Sequence, residues 1–451
     1  MPKTESDLTD LPAPKAPTFG EAFWYWLKLG FISFGGPAGQ IAIMHQDLVE
    51  RKRWISEKRF LHALNYCMVL PGPEAQQLAT YIGWLMHKTW GGIIAGGLFV
   101  LPSLLILIAL SWGYMRFGDL PQVAAILYGN KPAVVAIVLF AAYRIGKRIL
   151  NNAMLWAIAI FAFMAISVLH LPFPAIIAVA ALFGHVANHY YPKQFNFNNS
   201  HAAASKRFGA AVIDDTTPTP AHAHFSWSTL WRRLAMGLGV WLTAMAMLIF
   251  SQGWQTALTQ MAWFFTKAAM LTFGGAYAVL PYVYQGAVEH YQWLTPHQMM
   301  DGLALGETTP GPLIMVVAFV GFVGGWSQTV LGAENLVLSG VLAATVVTFF
   351  TFLPSFLFIF IGAPLIESSQ NNLKLTAPLN AISAAVVGVI VSLGVFFAQH
   401  IFVPEAPFKV DYLAILITLF SLVALVKWNL SIIKLVLFCG LIGVINHFFL
   451  I

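Results

Sequence analysis

Two short stretches of this chain join a hydroxyl side chain to a glycine pair. The first reads SFGGP and starts at Ser33, and the second reads TFGG and starts at Thr272. A glycine pair inside an apolar stretch breaks a helix, and the helix that resumes after it directs unpaired N–H groups and its positive dipole end toward the break. Glycine also permits the nest of backbone N–H groups that binds oxyanions. Both stretches therefore predict an anion site. Its candidate residues are Ser33, Gly35, Gly36, Thr272, Gly274 and Gly275.

A second motif, Pro-Gly-Pro, also occurs twice, at residues 71–73 and 310–312. Proline lacks a backbone donor and cannot continue a helix, so these motifs break helices as well. Two threonines directly precede the second copy and add hydroxyl donors. If all four breaks meet, the pocket is rich in donors and suits a small tetrahedral dianion. The candidate residues here are Pro71, Gly72, Thr308, Thr309 and Gly311.

Lys28 and Lys267 each lie five residues before the hydroxyl residue of a glycine-pair stretch. An ammonium group at membrane depth costs several kcal/mol unless it is paired or solvated. Because the two lysines occur in register, we interpret them as charges that bind the anion. The alternative is that both side chains snorkel to the membrane interface.

Glu74 and Glu307 are acidic residues inside the apolar stretches that contain the Pro-Gly-Pro motifs. Glu74 follows the first Pro-Gly-Pro, and Glu307 precedes the second. A buried carboxylate can titrate near neutral pH, which makes either residue a candidate proton carrier. A salt bridge to Lys28 or Lys267 is the alternative, and the sequence leaves both interpretations open.

The composition identifies the elements that must position these residues. Hydrophobic residues make up 59% of the 451 residues and charged residues only 9%, against about 25% charged in an ordinary soluble domain. Apolar stretches of about 20 residues, the length that spans a bilayer, recur along the chain. The net charge of +6 comes from loops that flank these stretches, which is typical of cytoplasmic loops rather than of nucleic-acid binding.

Cysteines and histidines give no indication of a metal or cofactor. Cys67 and Cys439 both lie in apolar stretches and predict neither a disulfide framework nor a metal site. Of five histidines in or near the polar segment after residue 184, only His185 and His189 have a helical ligand spacing. We therefore expect no metal, no cofactor and no catalytic residue.

The chain contains an internal repeat. Shifting it by 239 positions (272 − 33) aligns both glycine pairs, both Pro-Gly-Pro motifs and several rare residues. The aligned pairs include Trp24 with Trp263, Lys28 with Lys267, Glu50 with Glu289, and Trp54 with Trp293. LPS at 101–103 matches LPS at 353–355 once an insertion is allowed. We expect Trp54 and Trp293 to anchor loops at the membrane interface. Ala276 replaces Pro37, so the two glycine breaks need not share one geometry.

The repeat predicts five segments. They are a cytoplasmic tail at 1–19, a first half at 20–190, a polar cytoplasmic linker at 191–229, a topology-inverting transmembrane helix at 230–254 and a second half at 255–451.

The loop between the motifs predicts opposite orientations for the halves. It reads ERKRWISEKRF in the first half and EHYQWLTPHQM in the second, which has no lysine or arginine. By the positive-inside rule the first loop is cytoplasmic and the second is external. This topology requires that residues 22–48 enter and leave the membrane on the same side, and that residues 60–86 do so as well. We predict an all-α integral membrane protein with two inverted-topology halves and re-entrant helical hairpins broken at Gly-Gly and Pro-Gly-Pro.

Both halves resemble a known family. The stretches FISFGGPAGQ, ERKRWISEKRF, PGPEAQQLATYIGW and GETTPGP are similar to motifs of the bidomain chromate transporter family. The resemblance covers roughly residues 20–190 and 255–451. It implies chromate efflux across a bacterial inner membrane, driven by the membrane potential or a proton gradient, and chromate resistance, without catalysis or a cofactor.

The residues alone predict a transporter of small oxyanions. Sulfate has the same charge and nearly the same shape as chromate, so a sulfate carrier stays an alternative. A lipid-phosphate flippase or membrane-embedded enzyme is a further one, although no histidine or arginine partner for a nucleophile lies near Ser33 or Glu74 in the sequence. The expected partners are chromate or sulfate and membrane lipids, without nucleic acid; the oligomeric state is open, with a homodimer among the alternatives.

The predicted inversion can be tested by reporter fusions. Reporters fused at residues 55 and 294 should lie on opposite sides of the membrane, because the two loops differ in basic charge. A reporter whose activity depends on its side of the membrane gives the two locations. Both reporters on one side would rule out the inversion.

Overall fold

The computed structural model describes residues 14–34, 36–190, 208–368, 376–403 and 410–449. Gly35, His201 and parts of the predicted tail and linker lie outside these residues. The described chain folds into α-helices with short 3-10 and π segments, and its only β-type pairing is an isolated parallel bridge between Ile55 and Ile213. The expectation of an all-helical protein is confirmed.

Seven α-helices lie within residues 19–190. They are α1 (Phe19–Ile32), α2 (Gly36–His45), α3 (Glu57–Val69), α4 (Glu74–Phe117), α5 (Pro121–Ile149), α6 (Ala153–Ser167) and α7 (Phe173–Tyr190).

Nine further α-helices follow in the described part of residues 227–449. They are α8 (Trp227–Gln252), α9 (Ala257–Met270), α10 (Leu280–Tyr284), α11 (Pro296–Thr308), α12 (Val316–Ser327), α13 (Leu336–Ser368), α14 (Thr376–Phe402), α15 (Tyr412–Val426) and α16 (Ile432–Phe449).

Five helical segments of the described chain are long and apolar enough to cross a membrane. They are Glu74–Phe117, Pro121–Ile149, Trp227–Gln252, Ala333–Glu367 and Ala377–Phe402. The first is a helical run of 44 residues that contains non-helical backbone at His87 and Lys88. The predicted segment 60–86 thus ends where the structure breaks its helix. Several shorter apolar helices, including α6 and α7, accompany the long ones.

Local sequence determines where the short helices begin. Thr18 and Thr295 each form a capping box, with Glu21 and Gln298 as the reciprocal partners. Ser56 caps α3 at the position that matches Thr295 in the repeat. Equivalent caps therefore start the equivalent helices α3 and α11, and each helix runs from its cap to a Pro-Gly-Pro break.

The long helices of the two halves meet in the core. The short helices pack mainly against the long helix of their own half, α1 on α4 and both α9 and α12 on α13. The cluster of side chains from α1–α4 also includes Ile359 and Phe360 of α13. The larger cluster around the second half includes Val100 and Leu107 of α4. Each long helix therefore contributes to the buried clusters of both halves.

Trp54 and Trp293 belong to this core. Their side chains are only 6% and 3% exposed. Trp54 packs edge-on against Tyr25, and Trp293 stacks on Tyr291. Both indoles are buried by packing, and the ammonium of Lys52 lies 5.1 Å from the Trp54 ring. That they anchor loops at the membrane interface stays a prediction. Their repeated position reflects packing.

The end of the linker docks on the loop that follows α2. Val212 and Ile213 donate backbone hydrogen bonds to the carbonyls of Arg53 and Trp54, each at 3.0 Å. The Ser56 hydroxyl donates to Asp215 Oδ1 at 2.6 Å. These contacts hold residues 208–217 against the first half.

An ion pair joins the docked linker to both halves. Arg59 of α3 lies 3.2 Å from Glu367 of α13 and also donates to the carbonyl oxygen of Thr217 at 2.5 Å. Tyr81 of α4 donates to the other Glu367 oxygen at 2.5 Å. Glu367 therefore joins α13 to the first half, and its partner Arg59 extends this contact to the linker.

His222 is the pH-sensitive contact of the docked linker. Its ring Nε2 lies 3.0 Å from the carbonyl oxygen of Trp84. Burial lowers the pKa of His222 below its ordinary value near 6.5, and the charges of Lys88 and Arg233 act in the same direction. A histidine with a lowered pKa stabilises the docked state above the unfolded pKa, and this contribution is lost as the pH falls through that value.

We therefore expect the linker to loosen as the pH falls from 7.5 to 5. The protection factors of residues 208–226 against hydrogen exchange, corrected for the intrinsic exchange rate at each pH, should fall below about pH 6.5. His222→Gln should remove much of that pH dependence, because glutamine keeps a donor without titrating. The matched control is His224→Gln, at an exposed position two residues away. An unchanged pH profile in His222→Gln would contradict this role.

Candidate functional site

The four helix breaks meet in pairs, and each pair joins one half to the other. The backbone N–H of Gly72 donates to the carbonyl of Thr272 at 2.7 Å. The N–H of Gly311 donates to the carbonyl of Ser33 at 2.8 Å. Each Pro-Gly-Pro motif thus bonds to the glycine-pair stretch of the opposite half. We call these two contacts the crossing.

Two buried glutamines support the crossing. Gln40 donates from Nε2 to the carbonyl oxygens of Ser33 at 3.2 Å and Gly311 at 2.5 Å. Gln77 donates to the carbonyl of Pro71 at 2.8 Å. Both glutamines come from the first half, and they satisfy carbonyl groups that the broken helices leave without a helical partner.

Two serines of the repeated LPS motif pack against the central glycines. A Cβ atom at Gly72 would lie 2.4 Å from Ser355 Oγ, and one at Gly311 would lie 2.7 Å from Ser103 Cβ. Gly72 has a φ of 128° and Gly311 a φ of 108°, which only glycine adopts readily. Backbone conformation and close approach therefore both require glycine at these two positions.

The predicted hydroxyl donors differ in their engagement. Ser33 is fully buried, and its Oγ has no hydrogen-bond partner among the described residues. Thr272, Thr308 and Thr309 instead donate to carbonyls of their own helices, at 2.7 to 3.2 Å. Ser33 is therefore the one of these four hydroxyls whose proton is free for a ligand.

The two glycine pairs have different geometries. In the first pair, the second glycine, Gly36, is the first residue of an α-helix and has a φ of 73°. After the second pair a 3-10 turn, Ala276–Val279, comes first, and Gly274 and Gly275 have φ values of 81° and 100°. This difference agrees with the replacement of Pro37 by Ala276.

The two predicted lysines lie away from the hydrogen bonds of the crossing. Lys28 is exposed on α1. Lys267 is half-buried, and its ammonium lies 5.6 Å from the ring centroid of Trp263, a cation–π contact. Their role in binding an anion stays a prediction.

The two predicted carboxylates adjoin the crossing. Glu307 lies in the last turn of α11 and accepts a 2.6 Å hydrogen bond from the hydroxyl of Tyr277. Glu74 begins α4 directly after Pro-Gly-Pro. In the described part of the chain no lysine, arginine or histidine forms an ion pair within 4 Å of either carboxylate. The salt bridges to Lys28 or Lys267 that the sequence left open are therefore absent from the described residues.

Asp301 is a third buried acid that the sequence analysis missed. Its carboxylate accepts a 3.0 Å hydrogen bond from Tyr114 of α4 and lies 3.8 Å from Lys131 Nζ of α5. The other oxygen, Oδ1, is buried without a partner among the described residues. A signal was present, because Asp301 and Lys131 are both charges inside apolar stretches.

Gln40, Gln77, Ser103 and Ser355 were also missed as candidate site residues. The repeat pointed to the two serines through the matching LPS motifs. Nothing comparable pointed to the glutamines, since Val279 and Val316 occupy the corresponding positions of the second half. Their function depends on carbonyl groups that are distant in sequence.

The comparison with known protein families identifies the chain. Residues 20–185 and 259–444 match the model of the chromate transporter family. The chain belongs to the chromate transporter family. Membership confirms the resemblance that the motifs indicated, and the matched ranges include every break of the crossing.

Individual relatives extend over most of the chain. The chromate transport protein of Pseudomonas aeruginosa is 33% identical over 403 residues, 88% of this chain and 85% of the relative. The chromate transport protein of Cupriavidus metallidurans is 29% identical over 391 residues, 85% of this chain and 84% of the relative. An uncharacterized transporter of Bacillus subtilis, YwrA, is 29% identical over 124 residues, 28% of this chain and 70% of the relative. No solved structure shows significant similarity to the chain.

A side chain at either central glycine of the crossing should lower the free energy of unfolding. Gly72→Ala and Gly311→Ala should each destabilise this transporter-family protein by about 1–3 kcal/mol, since alanine is strained at these φ values and its Cβ would overlap a serine. Thermal unfolding of the purified protein in detergent measures the loss. Gly97→Ala is the matched control, because a Cβ at this helical position meets nothing within 4 Å. Equal melting temperatures for all three variants would contradict the tight crossing.

Proposed function

We propose that this protein is a secondary transporter of small tetrahedral oxyanions that exports chromate across the bacterial inner membrane. The observation that carries the proposal is the crossing, in which Gly72 bonds to Thr272 and Gly311 bonds to Ser33. It joins four helix breaks from both halves in two buried contacts, and breaks at matching positions of two halves are typical of transporter binding sites. Membership of the chromate transporter family favours chromate as the substrate, and so do the names of the Pseudomonas and Cupriavidus relatives.

The proposed topology is two inverted halves with re-entrant hairpins. Helices α1 and α9 have 14 residues each, which gives a length of about 21 Å, and the hydrocarbon core of a bilayer is about 30 Å thick. Helix pairs that end at the crossing would therefore return to the side they came from. The basic loop between α2 and α3 supports a cytoplasmic location for that loop and for the N-terminus.

In this proposal the broken helices supply the donors that bind the anion. The N-terminus of α4 directly follows Pro-Gly-Pro, and helix N-termini favour anions through their free N–H groups and dipole. The unpartnered hydroxyl of Ser33 adds a side-chain donor. The glycine-pair and Pro-Gly-Pro residues named from the sequence would form the walls, with Lys28 and Lys267 contributing positive potential from a distance.

The membrane potential would supply the driving force for efflux. Moving one charge through 100 mV is worth about 2.3 kcal/mol, so a dianion leaving a negative cytoplasm gains about twice that amount. Glu74 and Glu307 are the proposed sites for any coupling to protons, since each adjoins a Pro-Gly-Pro break of the crossing.

A sulfate or general oxyanion carrier is the second candidate function. The donors at the crossing are N–H and O–H groups, which would bind any dianion of this size and shape. A flippase or membrane-embedded enzyme receives less support, because Ser33 Oγ, the nucleophile nearest the crossing, has no hydrogen-bonded base among the described residues.

Transport by everted membrane vesicles tests the proposal. Vesicles that contain the protein should accumulate labelled chromate when an inside-positive potential is imposed, because export from the cell corresponds to uptake by an everted vesicle. A tenfold excess of unlabelled sulfate should inhibit this uptake only weakly.

Vesicles from cells without the protein are the control. Equal competition by sulfate would favour the general oxyanion carrier. Absence of uptake above the control, with the protein folded and present in the membrane, would refute the transport of either anion.

A further inference from the structure

A surface pocket of about 490 Å³ opens where α4, α12 and α13 meet. Its volume lies within the range of about 300–1,000 Å³ that is typical of ligand sites. Trp112 and Arg116 of α4 line one side of it, and Trp326 of α12 adds a second aromatic ring. Glu334, just before α13, and Leu338 line the opposite side. None of the residues that line the pocket belongs to the crossing.

The pocket lies at the ends of two membrane-spanning segments. Glu74–Phe117 and Ala333–Glu367 are both long and apolar enough to cross a bilayer. The last two turns of the first segment and the first turns of the second line the pocket. Spanning helices end in the headgroup region of the bilayer, where tryptophans are enriched. The pocket is therefore at the depth of the lipid headgroups.

Backbone contacts fix the wall that carries Glu334. The backbone N–H of Leu331 donates to Ser339 Oγ of α13 at 3.0 Å. The N–H of Gly332 donates to the carbonyl of Thr329 at 2.8 Å. These two bonds hold the loop between α12 and α13 against the start of α13, so the position of the Glu334 backbone is set by the fold.

This wall is specific to the second half of the repeat. Residues around 326–335 form the insertion that the second half has before its LPS motif. The insertion includes Trp326 and Glu334, and the first half has no counterpart of it. Trp326 stacks on Phe322 of α12, with ring centroids 6.0 Å apart. The pocket therefore depends on residues that the shared architecture of the two halves does not require.

The polar groups of the pocket are free in the described part of the chain. Arg116 and Glu334 are exposed, and neither forms an ion pair or a hydrogen bond among the described residues. The indole N–H groups of Trp112 and Trp326 also have no hydrogen-bond acceptor there. The pocket thus offers one cation, one anion and two N–H donors to a ligand.

A zwitterionic phospholipid with a primary ammonium group matches this set. A guanidinium presents a planar fork of donors that binds two oxygens of a phosphate, and a carboxylate accepts hydrogen bonds from an ammonium. An anionic headgroup without an ammonium would be repelled by Glu334. The quaternary ammonium of phosphatidylcholine has no N–H to donate to it. Phosphatidylethanolamine satisfies both charged side chains.

An exposed apolar stripe on α4 leads away from the pocket toward the middle of the helix. Leu101, Leu105 and Trp112 are 42%, 57% and 42% exposed. Their spacings of four and seven residues place them on one face of the helix. Leu101 and Trp112 are 11 residues apart, which is about 16 Å along a helix and close to half of the ~30 Å hydrocarbon core. An acyl chain of one leaflet can lie along this stripe while its headgroup occupies the pocket.

We propose that this pocket binds phosphatidylethanolamine, with the lipid phosphate on Arg116 and the lipid ammonium on Glu334. The indoles of Trp112 and Trp326 flank the headgroup, and an acyl chain follows the apolar stripe of α4. The bound lipid thereby connects the end of α4 to the start of α13, the long helices of the two halves. The inference goes beyond the proposed function and does not depend on it, because no transported anion takes part.

The experiment is native mass spectrometry of the purified, delipidated protein with one phospholipid added at a time. The wild-type protein should retain phosphatidylethanolamine about threefold or more better than phosphatidylcholine or phosphatidylglycerol, the factor expected of one exposed charge-assisted contact. Thermal unfolding in detergent with the same lipids gives a second measure, since a ligand that binds only the folded state raises the melting temperature.

Substitutions separate the two headgroup contacts. Arg116→Gln should lower the retention of phosphatidylethanolamine about threefold or more. Glu334→Gln should remove the preference among the three lipids, and Glu334→Lys should shift it to phosphatidylglycerol. The matched controls are Arg232→Gln, at an exposed arginine beside the exposed Trp231, and Asp119→Asn, at an exposed acid just after α4. Neither control residue lines the pocket, so both variants should behave like the wild type.

Several results would overturn the proposal. They are equal retention of the three lipids by the wild-type protein, Arg116→Gln that matches Arg232→Gln, and an unchanged preference in Glu334→Gln. A dimer that retains no lipid in the same spectra would assign the pocket to a second copy of the chain instead. Loss of folding does not blur the test, because a misfolded Glu334→Lys variant would not gain a preference for phosphatidylglycerol. Equal melting temperatures without lipid verify the fold of every variant.

Discussion

The structure depends on how broken helices satisfy their backbone in a membrane. Every N–H and C=O group that a break leaves free at membrane depth needs a partner inside the protein, because lipid offers none. Here the break of each half finds its partner in the other half, through the bonds from Gly72 to Thr272 and from Gly311 to Ser33. The requirement to pair backbone groups thus explains why the two halves contact each other at their breaks.

Much of this arrangement could be predicted because the chain repeats itself. Helix breaks at matching positions, a capping residue at Ser56 and its counterpart Thr295, and the LPS motifs all follow from local sequence. The pairing of Pro-Gly-Pro with the glycine pair of the opposite half could not be derived, since it is a contact between residues some 200 to 280 positions apart. Pattern along the chain indicates where helices stop, whereas three-dimensional packing determines which stops meet.

Charge was harder to predict than backbone. The sequence drew attention to Lys28 and Lys267 because they are repeated, yet neither forms an ion pair among the described residues, whereas Lys131 and Asp301 do. Asp301 and Lys131 escaped notice because they have no such symmetry. Repetition identifies what the two halves share, and a buried ion pair between halves needs only one member from each, so it leaves no repeated signal.

The glutamines at the crossing have a consequence for how a duplicated chain can evolve. Gln40 and Gln77 both come from the first half, and the second half has Val279 and Val316 in their places. A chain assembled from two copies of the first half would place further glutamines where Val279 and Val316 now lie. A chain assembled from two second halves would leave the buried carbonyl groups that Gln40 and Gln77 now bind without these amide donors. The two halves have therefore become complementary parts, and each retains its form only in the company of the other.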